Sequence, residues 1–393
     1  MDLIDKPVSL DWIERLVRFD TTSRLSNLGL IETVRDHLIA AGHSPLLIYD
    51  ASGKKANLFV TLPAHDGSTK GGVVLSGHTD VVPVTGQDWT SDPFNPTVRD
   101  GRLYGRGTCD MKGFLGVALA MLPAFAATRL RTPVHLAMSY DEEVGCLGAD
   151  VMLRELARQD IRPDSCIVGE PTDMRVISAH KSSNLYRCTV HGCAAHSSLT
   201  PDGVNAIEYA ARAICHIRDM ADTYRENGPF DKDFAVPFTT ANTGTISGGL
   251  SVNTVPDRCQ FDFEFRTIRG VLAPDVIGGL RRYITGDLRD RIKAENPLAD
   301  IVLETLAEVP GFDTAAYAEI AQLAQALTGS RGTDKVAYCT EAGLFQKAGM
   351  TAVICGPGSL QQAHRADEYV ELSQISQCEQ FMKKLATHLT ITE

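Results

Sequence analysis

Through the first half of the chain, short uninterrupted apolar runs alternate with segments whose apolar residues recur at helical spacing. "GGVVLSGHTDVV" reads as a buried strand ending near Ser76, and "MKGFLGVALAMLPAFAA" (111–127) as an apolar, small-residue-rich helix that belongs inside the protein. "TPVHLAMSYDEE" reads as a second strand, "DVMLRELARQD" as a helix and "DSCIVGEP" as a third strand. Strands that alternate with helices in this way predict an α/β layer built on a largely parallel sheet. Towards the C-terminus "AAYAEIAQLAQAL" is helical, "MTAVICGPG" is another buried strand, and the last 20 residues read as a helix. At the other end, "MDLIDKPVSLDWIERLVRFDTTS" has the pattern of an amphipathic helix that carries acids.

The middle of the chain changes rhythm. From about residue 180 the order is strand ("NLYRCTVHG"), helix ("GVNAIEYAARAICHIRDMADTYR"), strand ("TANTGTISGG"), strand ("RCQFDFEFRT"), helix ("APDVIGGLRRYITGDLRDRI") and strand ("DIVLETLAE"). This β-α-β-β-α-β order predicts a ferredoxin-like domain at 180–308, inserted between the two parts, 1–179 and 309–393, of the first domain.

Composition narrows the class. At 393 residues, with 44% hydrophobic and 22% charged residues, the chain fits a soluble two-domain protein with a sizeable core. A formal charge of -11 gives no basic footprint for nucleic acid. No uncharged apolar run reaches the ~18 residues of a membrane span. The N-terminus lacks the basic region and continuous apolar stretch of a signal peptide. The ten cysteines form no C-x-x-C pair, and several lie in apolar runs, so reduced thiols and a cytoplasmic location are expected.

The polar residues that follow the apolar strands carry the chemistry. His78 and Asp80 follow the first strand, Asp141, Glu142 and Glu143 the second, and Glu170 the third; His364 lies past the last strand, and Asp110 opens the apolar helix. An isolated D-E-E is most often a solvated turn, and a lone H-x-D or G-E-P a turn as well. In open α/β sheets, however, ligands bind at the carboxyl ends of the strands, where these groups converge. Two histidines and three carboxylates make a mixed N/O set suited to zinc, cobalt or manganese. With Asp110 bridging, the set divides into His78, Asp110 and Glu170 for one ion and Asp110, Glu143 and His364 for the other. Metals paired ~3.5–4 Å apart can activate water and polarise a carbonyl together. Asp80, two residues after His78, is placed to orient it through its carboxylate, because a ligating imidazole usually donates its second ring N–H to such a group.

The motifs "SGHTDVVPV", "YGRGTCDMKGF", "DEEVGCLGA", "VGEPT", "HGCAAHSS" and "CGPGSLQQAHRADEYV" resemble those of the M20 family of co-catalytic metallo-aminoacylases and metallopeptidases, over essentially the whole chain. The resemblance implies an α/β fold class: a mainly parallel-sheet metallohydrolase domain with helices on both faces, interrupted by an inserted α+β ferredoxin-like dimerisation (lid) domain. It implies two divalent metal ions, zinc foremost and cobalt as an alternative, on His78, Asp110, Glu143, Glu170 and His364. Glu142 takes the place of the family's general base and Asp80 that of its orienting acid. His196 matches the histidine that reaches the active site, often of the neighbouring subunit, to stabilise the oxyanion. A cis peptide after Asp110, a homodimer through the inserted domain, and a small N-acyl amino acid as substrate are implied too. Asn253 and Arg266 are candidate contacts for the substrate carboxylate, or structural residues of their domain. Two departures lie in the middle region: Lys181-Ser182 stands where Lys-Gly is common, and the proline after "FEFR" is delayed to Pro274. Within the family, a hydrolase of another N-acyl amino acid such as succinyl-diaminopimelate, or a metallo-carboxypeptidase, is the alternative. Two other classes compete: a cysteine-nucleophile hydrolase using Cys109, and a non-catalytic binding protein on a hydrolase scaffold.

Overall fold

The computed structural model describes residues 7–391. The chain divides into two compact units. The first runs to Ala179 and resumes over Phe312–Lys335 and from Thr340; the second comprises His180–Gly311 and Val336–Cys339.

The first unit is organised by a nine-stranded sheet. Its centre is four parallel strands in the order Val134–Ser139, Val73–His78, Ser165–Val168 and Thr351–Ile354. These are the apolar runs of the sequence, and all six residues of both Val73–His78 and Val134–Ser139 are buried. A strand covered on both faces reads as a continuous apolar run rather than an alternating one. Antiparallel strands extend the sheet, with Ala56–Leu62 beside Val134–Ser139 and Leu46–Tyr49 outside it. On the other flank Ile177–His180 runs antiparallel to Thr351–Ile354. The site residues emerge from the parallel centre of the sheet.

Side chains that alternate along these strands serve opposite faces. Leu75, Leu136, Ile167 and Val353 join one core with the helices Leu10–Val17, Lys112–Ala126 and Leu372–His388. Lys112–Ala126 is apolar around most of its circumference because it packs against both of those helices as well as the sheet. The helices Leu147–Arg158 and Ala342–Lys347 contact other parts of the sheet and each other. The expected N-terminal helix is present as Leu10–Val17; the part of it at residues 1–6 lies outside the described residues. A hairpin of Thr97–Arg99 and Arg102–Tyr104 was not signalled by an apolar run. Asp100 and Gly101 form its two-residue turn, with φ of 50° and 74°, the pairing that such turns favour. Tyr369–Glu371 adds a third strand to it.

The second unit is a four-stranded antiparallel sheet in the order Thr240–Gly248, Arg258–Arg266, Ser183–His191, Asp300–Val309. Its core shows period two plainly: Cys259, Phe261, Phe263 and Phe265 are buried, while the residues between them are partly exposed. One helix, Ala206–Asn227, is capped by the Asn205 side chain, which accepts from the N–H groups of Ile207 and Glu208. The other expected helix is Ala273–Arg282 continued through a π-helical turn, Tyr283–Leu288, into Arg289–Glu295. Ser182, one of the two sequence departures, is buried and used: its hydroxyl accepts from Asn184 Nδ2 at 2.7 Å and from the Thr267 N–H at 2.8 Å.

All ten cysteines are free thiols. No helix among the described residues is long and apolar enough to cross a membrane.

Candidate active site

The parallel ladder continues past the named strand ends, through the N–H groups of Thr79 to Ser139, Gly169 to Ser76 and Cys355 to Val168. This fixes the first residues beyond each strand, and with them the side chains they carry. Close approach of the last two loops depends on glycine. A Cβ on Gly169 would lie 2.0 Å from the Phe114 ring, and one on Gly356 would lie 2.0 Å from the Gly169 carbonyl oxygen.

Five of the expected residues meet in two triads that share Asp110. The ligand atoms of His78, Asp110 and Glu170 lie within 4.8 Å of one another, as do those of Asp110, Glu143 and His364. Asp110 faces both histidines: Oδ1 is 2.9 Å from His78 Nε2 and Oδ2 is 3.4 Å from His364 Nε2. His364 Nε2 also lies 3.0 Å from Glu143 Oε1, and His78 Nε2 lies 3.7 Å from Glu170 Oε1. The Asp110–Met111 peptide is cis.

Asp80 orients His78 through its main chain rather than through the carboxylate expected from the sequence. His78 Nδ1 donates to the Asp80 carbonyl oxygen at 2.8 Å, and the Asp80 carboxylate is further off, at 3.6 Å. That carboxylate is engaged elsewhere. It accepts from the N–H groups of Glu142 (3.0 Å) and Glu143 (3.3 Å) and from Ser23 Oγ (2.7 Å). Asp80 thereby ties the first strand end to the acidic turn after the second.

The three adjacent acids of that turn have separate destinations. Glu143 joins the second triad. Glu142 lies in neither triad; its side-chain carboxylate accepts from Cys146 Sγ at 3.3 Å. Asp141, left without a role by the sequence, turns away in the left-handed region (φ 53°). Its carboxylate accepts from the Arg24 N–H at 2.8 Å and pairs with the Lys55 ammonium. The expectation of a solvated turn fails for Asp141 as well, since it is buried.

Electrostatics distinguishes these groups. Burial opposes the charge on His78, but hydrogen bonding to Asp110 and Asp80 prevails and holds its pKa well above the ordinary value. His364 is pushed up to about 10 by Asp110 and Glu143. Burial also opposes ionisation of Asp110, yet His364 and His78 hold it below the carboxylate range. Glu142, Glu143 and Glu170 are all pushed up, by burial first and then by the neighbouring acids. Five crowded carboxyls share only two imidazoles, so the cluster holds more negative charge than its own residues neutralise. A site of carboxylates and imidazoles with that imbalance fits divalent cations.

Further residues support the site without having been marked by the sequence. Glu341 is fully buried and accepts from Ser76 Oγ at 2.9 Å and from Ser139 Oγ, below the ends of the two central strands. Glu368, four residues past His364, accepts three main-chain N–H groups of the Asp110 loop. Cys109 does not suit a nucleophile. Its thiol donates to the Ser359 carbonyl, and burial, with Glu368 and Asp110 nearby, pushes its pKa well up.

The remaining candidates lie in the second unit. His196 is exposed, with Nδ1 2.8 Å from Ser198 Oγ. Asn253 is on the adjoining loop, and its carbonyl accepts from the Ser197 N–H at 3.0 Å. Arg266 ends its strand and pairs with Glu264 at 3.0 Å.

Comparison with known proteins adds an independent line. The model of Peptidase family M20/M25/M40 matches residues 74–388. The acetylornithine deacetylase of Salmonella arizonae is 36% identical over 327 residues, covering 83% of this chain and 82% of that protein. Among solved structures, the aminopeptidase PepT of Bacillus cereus superposes with a TM-score of 0.71 at 18% identity, covering 99% of this chain and 100% of the other. A Bacillus subtilis protein described as a dinuclear metal-binding peptidase of the M20 family superposes with a TM-score of 0.66 at 14% identity, over 98% and 99% of the two chains.

Proposed function

Since the chain belongs to peptidase family M20/M25/M40 and is a hydrolase of amide bonds, we propose that it removes the acetyl group from N2-acetyl-L-ornithine, giving L-ornithine and acetate. The observation that carries this reading is the pair of triads about Asp110, taken with the acetylornithine deacetylase relative. His78, Asp110 and Glu170 would hold one divalent ion, and Asp110, Glu143 and His364 a second. Zinc is the first choice and cobalt the alternative. When bound, such a pair supplies Lewis-acid polarisation of the amide carbonyl and acidifies water.

The chain's own residues do the rest. Glu142, outside both triads and adjacent to Glu143, takes a proton from the attacking water and returns it to the departing amine. The C–N bond breaks as the proton arrives, so acetate and the free amine leave in balance with one water. Asp80 holds Glu142 and Glu143 by their N–H groups, and Asp141 with Lys55 holds the start of the same turn. His196 is assigned to donate to the carbonyl oxygen as negative charge grows there. Asn253 and Arg266 are assigned to the substrate carboxylate.

A homodimer through the second unit is part of the proposal. Its support is an open sheet edge, Thr240–Gly248, leading into a loop where Leu250 and Val252 are 94% and 102% exposed. Unpaired edges and exposed apolar groups of this kind invite a partner. A place in arginine biosynthesis and a cytoplasmic location follow from the substrate.

The test is hydrolysis by zinc- or cobalt-loaded protein of N2-acetyl-L-ornithine, N-acetylmethionine, succinyl-diaminopimelate and dipeptides, with and without EDTA. The expected result is highest kcat/KM on acetylornithine, abolished by EDTA. Preference for succinyl-diaminopimelate or a dipeptide would overturn the substrate, and activity that survives metal removal would overturn the mechanism.

A further inference from the structure

Asp110 and His364 sit on loops, not on strand ends, and His364 is held in the left-handed region with φ 62° and its side chain half exposed. A single hydrogen-bonded network, buried at Glu368 and Arg106, joins the two loops. Glu368 Oε1 accepts from the N–H groups of Gly107 (3.0 Å), Cys109 (2.9 Å) and Asp110 (3.1 Å). The loop can aim three N–H groups at one oxygen because Gly105 and Gly107 take φ of 152° and 84°. Glu368 Oε2 accepts from Arg106 Nη1 at 2.6 Å.

Arg106 carries the connection onward. Its Nη1 also donates to the Arg365 carbonyl at 3.2 Å, and its Nη2 donates to Gln87 Oε1 at 2.5 Å. Gln87 Nε2 in turn donates to the His364 carbonyl at 2.8 Å. The Arg106 guanidinium lies over the Trp89 ring, 5.0 Å from its centroid, so its plane and reach are set. Both Arg106 and Glu368 are 1% exposed. Charge-assisted bonds at that burial are short and directional, and a planar fork holds two partners at a fixed spacing.

We propose that Glu368, Arg106 and Gln87 form a clasp that sets the position of His364 against Asp110, and so tunes the affinity of the Asp110–Glu143–His364 triad for its ion. The three are positioning residues, touching neither ion nor substrate. The inference rests on the metal reading above. It separates the two triads: His78 and Glu170 are held by strand ends, whereas His364 depends on the clasp. Loss of a partner that orients a metal ligand typically weakens binding by ~10–100-fold.

The experiment is a cobalt(II) titration of the metal-free full-length protein, followed by visible absorption, on the wild type, Glu368→Gln and Gln87→Ala. Two equivalents are expected for the wild type. In Gln87→Ala, the second equivalent should bind about tenfold more weakly and the first within about threefold of wild type. Glu368→Gln should weaken the second by ~10–100-fold, with a smaller effect on the first through the shared Asp110. At saturating cobalt, kcat should return to within a few-fold of wild type. Gln87 lies at the surface end of the clasp, so Gln87→Ala decides the matter even where Glu368→Gln does not fold. Equal weakening of both equivalents, as a general loss of structure would give, or no weakening of either, would overturn the clasp. A wild-type chain that takes up fewer than two ions would overturn the metal reading itself, and the clasp with it.

Discussion

Replacing Glu142 by glutamine (E142Q) removes a carboxylate and leaves almost everything else in place. The amide has the shape of the acid it replaces. In the structure the Glu142 side chain has Cys146 Sγ as its neighbour at 3.3 Å and belongs to neither triad. Its hold on the fold is through the main chain, where its N–H donates to Asp80 and its carbonyl accepts from Gly145 and Cys146. None of these changes with the substitution. Burial, and then Glu143, Glu341 and Asp80, disfavour a charge at Glu142 and outweigh the opposing pull of His78, so losing that charge should not lower stability. What is lost is the proton acceptor. General acid–base groups contribute ~10²–10⁴-fold, which corresponds to about 2.7–5.5 kcal/mol of barrier at ~1.4 kcal/mol per tenfold. E142D tests the same idea by distance. It draws the carboxylate back by one methylene, and a shift of ~1 Å can cost ~10²-fold. It should therefore fall between wild type and E142Q. The assay is acetate release from N2-acetyl-L-ornithine by zinc-loaded protein, with metal content and melting temperature measured on the same samples. The expected result is a kcat/KM of E142Q down by ~10²–10⁴ with both ions retained. A kcat/KM within tenfold of wild type would refute the proton-transfer role. Loss of an ion would make Glu142 a ligand instead.

Two further outcomes follow from other parts of the molecule. Asp141→Ala should strand the Lys55 ammonium, 12% exposed in its pair, and free the Arg24 N–H. Breaking a buried pair costs about 3–5 kcal/mol, so a melting temperature lower by roughly 5–10 °C is expected, with metal content kept and kcat reduced; an unchanged melting curve would show that the pair holds nothing. If the proposed homodimer forms through the second unit, the double substitution L250S/V252S should leave a monomer in sedimentation velocity, because it removes two highly exposed apolar side chains beside the open edge. A variant that still sediments as a dimer would move the interface elsewhere.

Much of the fold was legible because it rests on local regularities. Fully buried strands such as Val73–His78 and Val134–Ser139 show as apolar runs, and Arg258–Arg266 shows as strict alternation. The hairpin at Asp100 and Gly101 had a readable turn signal but strands of three residues each, too short for periodicity to mark. The turn at Asp141–Glu143 shows where legibility stops within one motif. Sequence assigned Glu143 a partner type, since acids after parallel strands converge on one edge. It could not assign Asp141, whose partners are Arg24 and Lys55, more than 80 positions away in the chain.

The sequence by itself determined the chemistry on offer: two histidines and several acids placed after apolar strands, on a scaffold whose topology sends strand ends to a common edge. Tertiary structure alone decided which oxygen faces which nitrogen. It gave the His78 ring N–H to the Asp80 carbonyl, set the Asp80 carboxylate to hold the acidic turn, and linked Asp110 to His364 through Glu368, Arg106 and Gln87. The physical reason is that hydrogen bonds are short and directional. A pattern along the chain can bring two loops to the same edge, but only packing in three dimensions fixes their side chains to within an ångström.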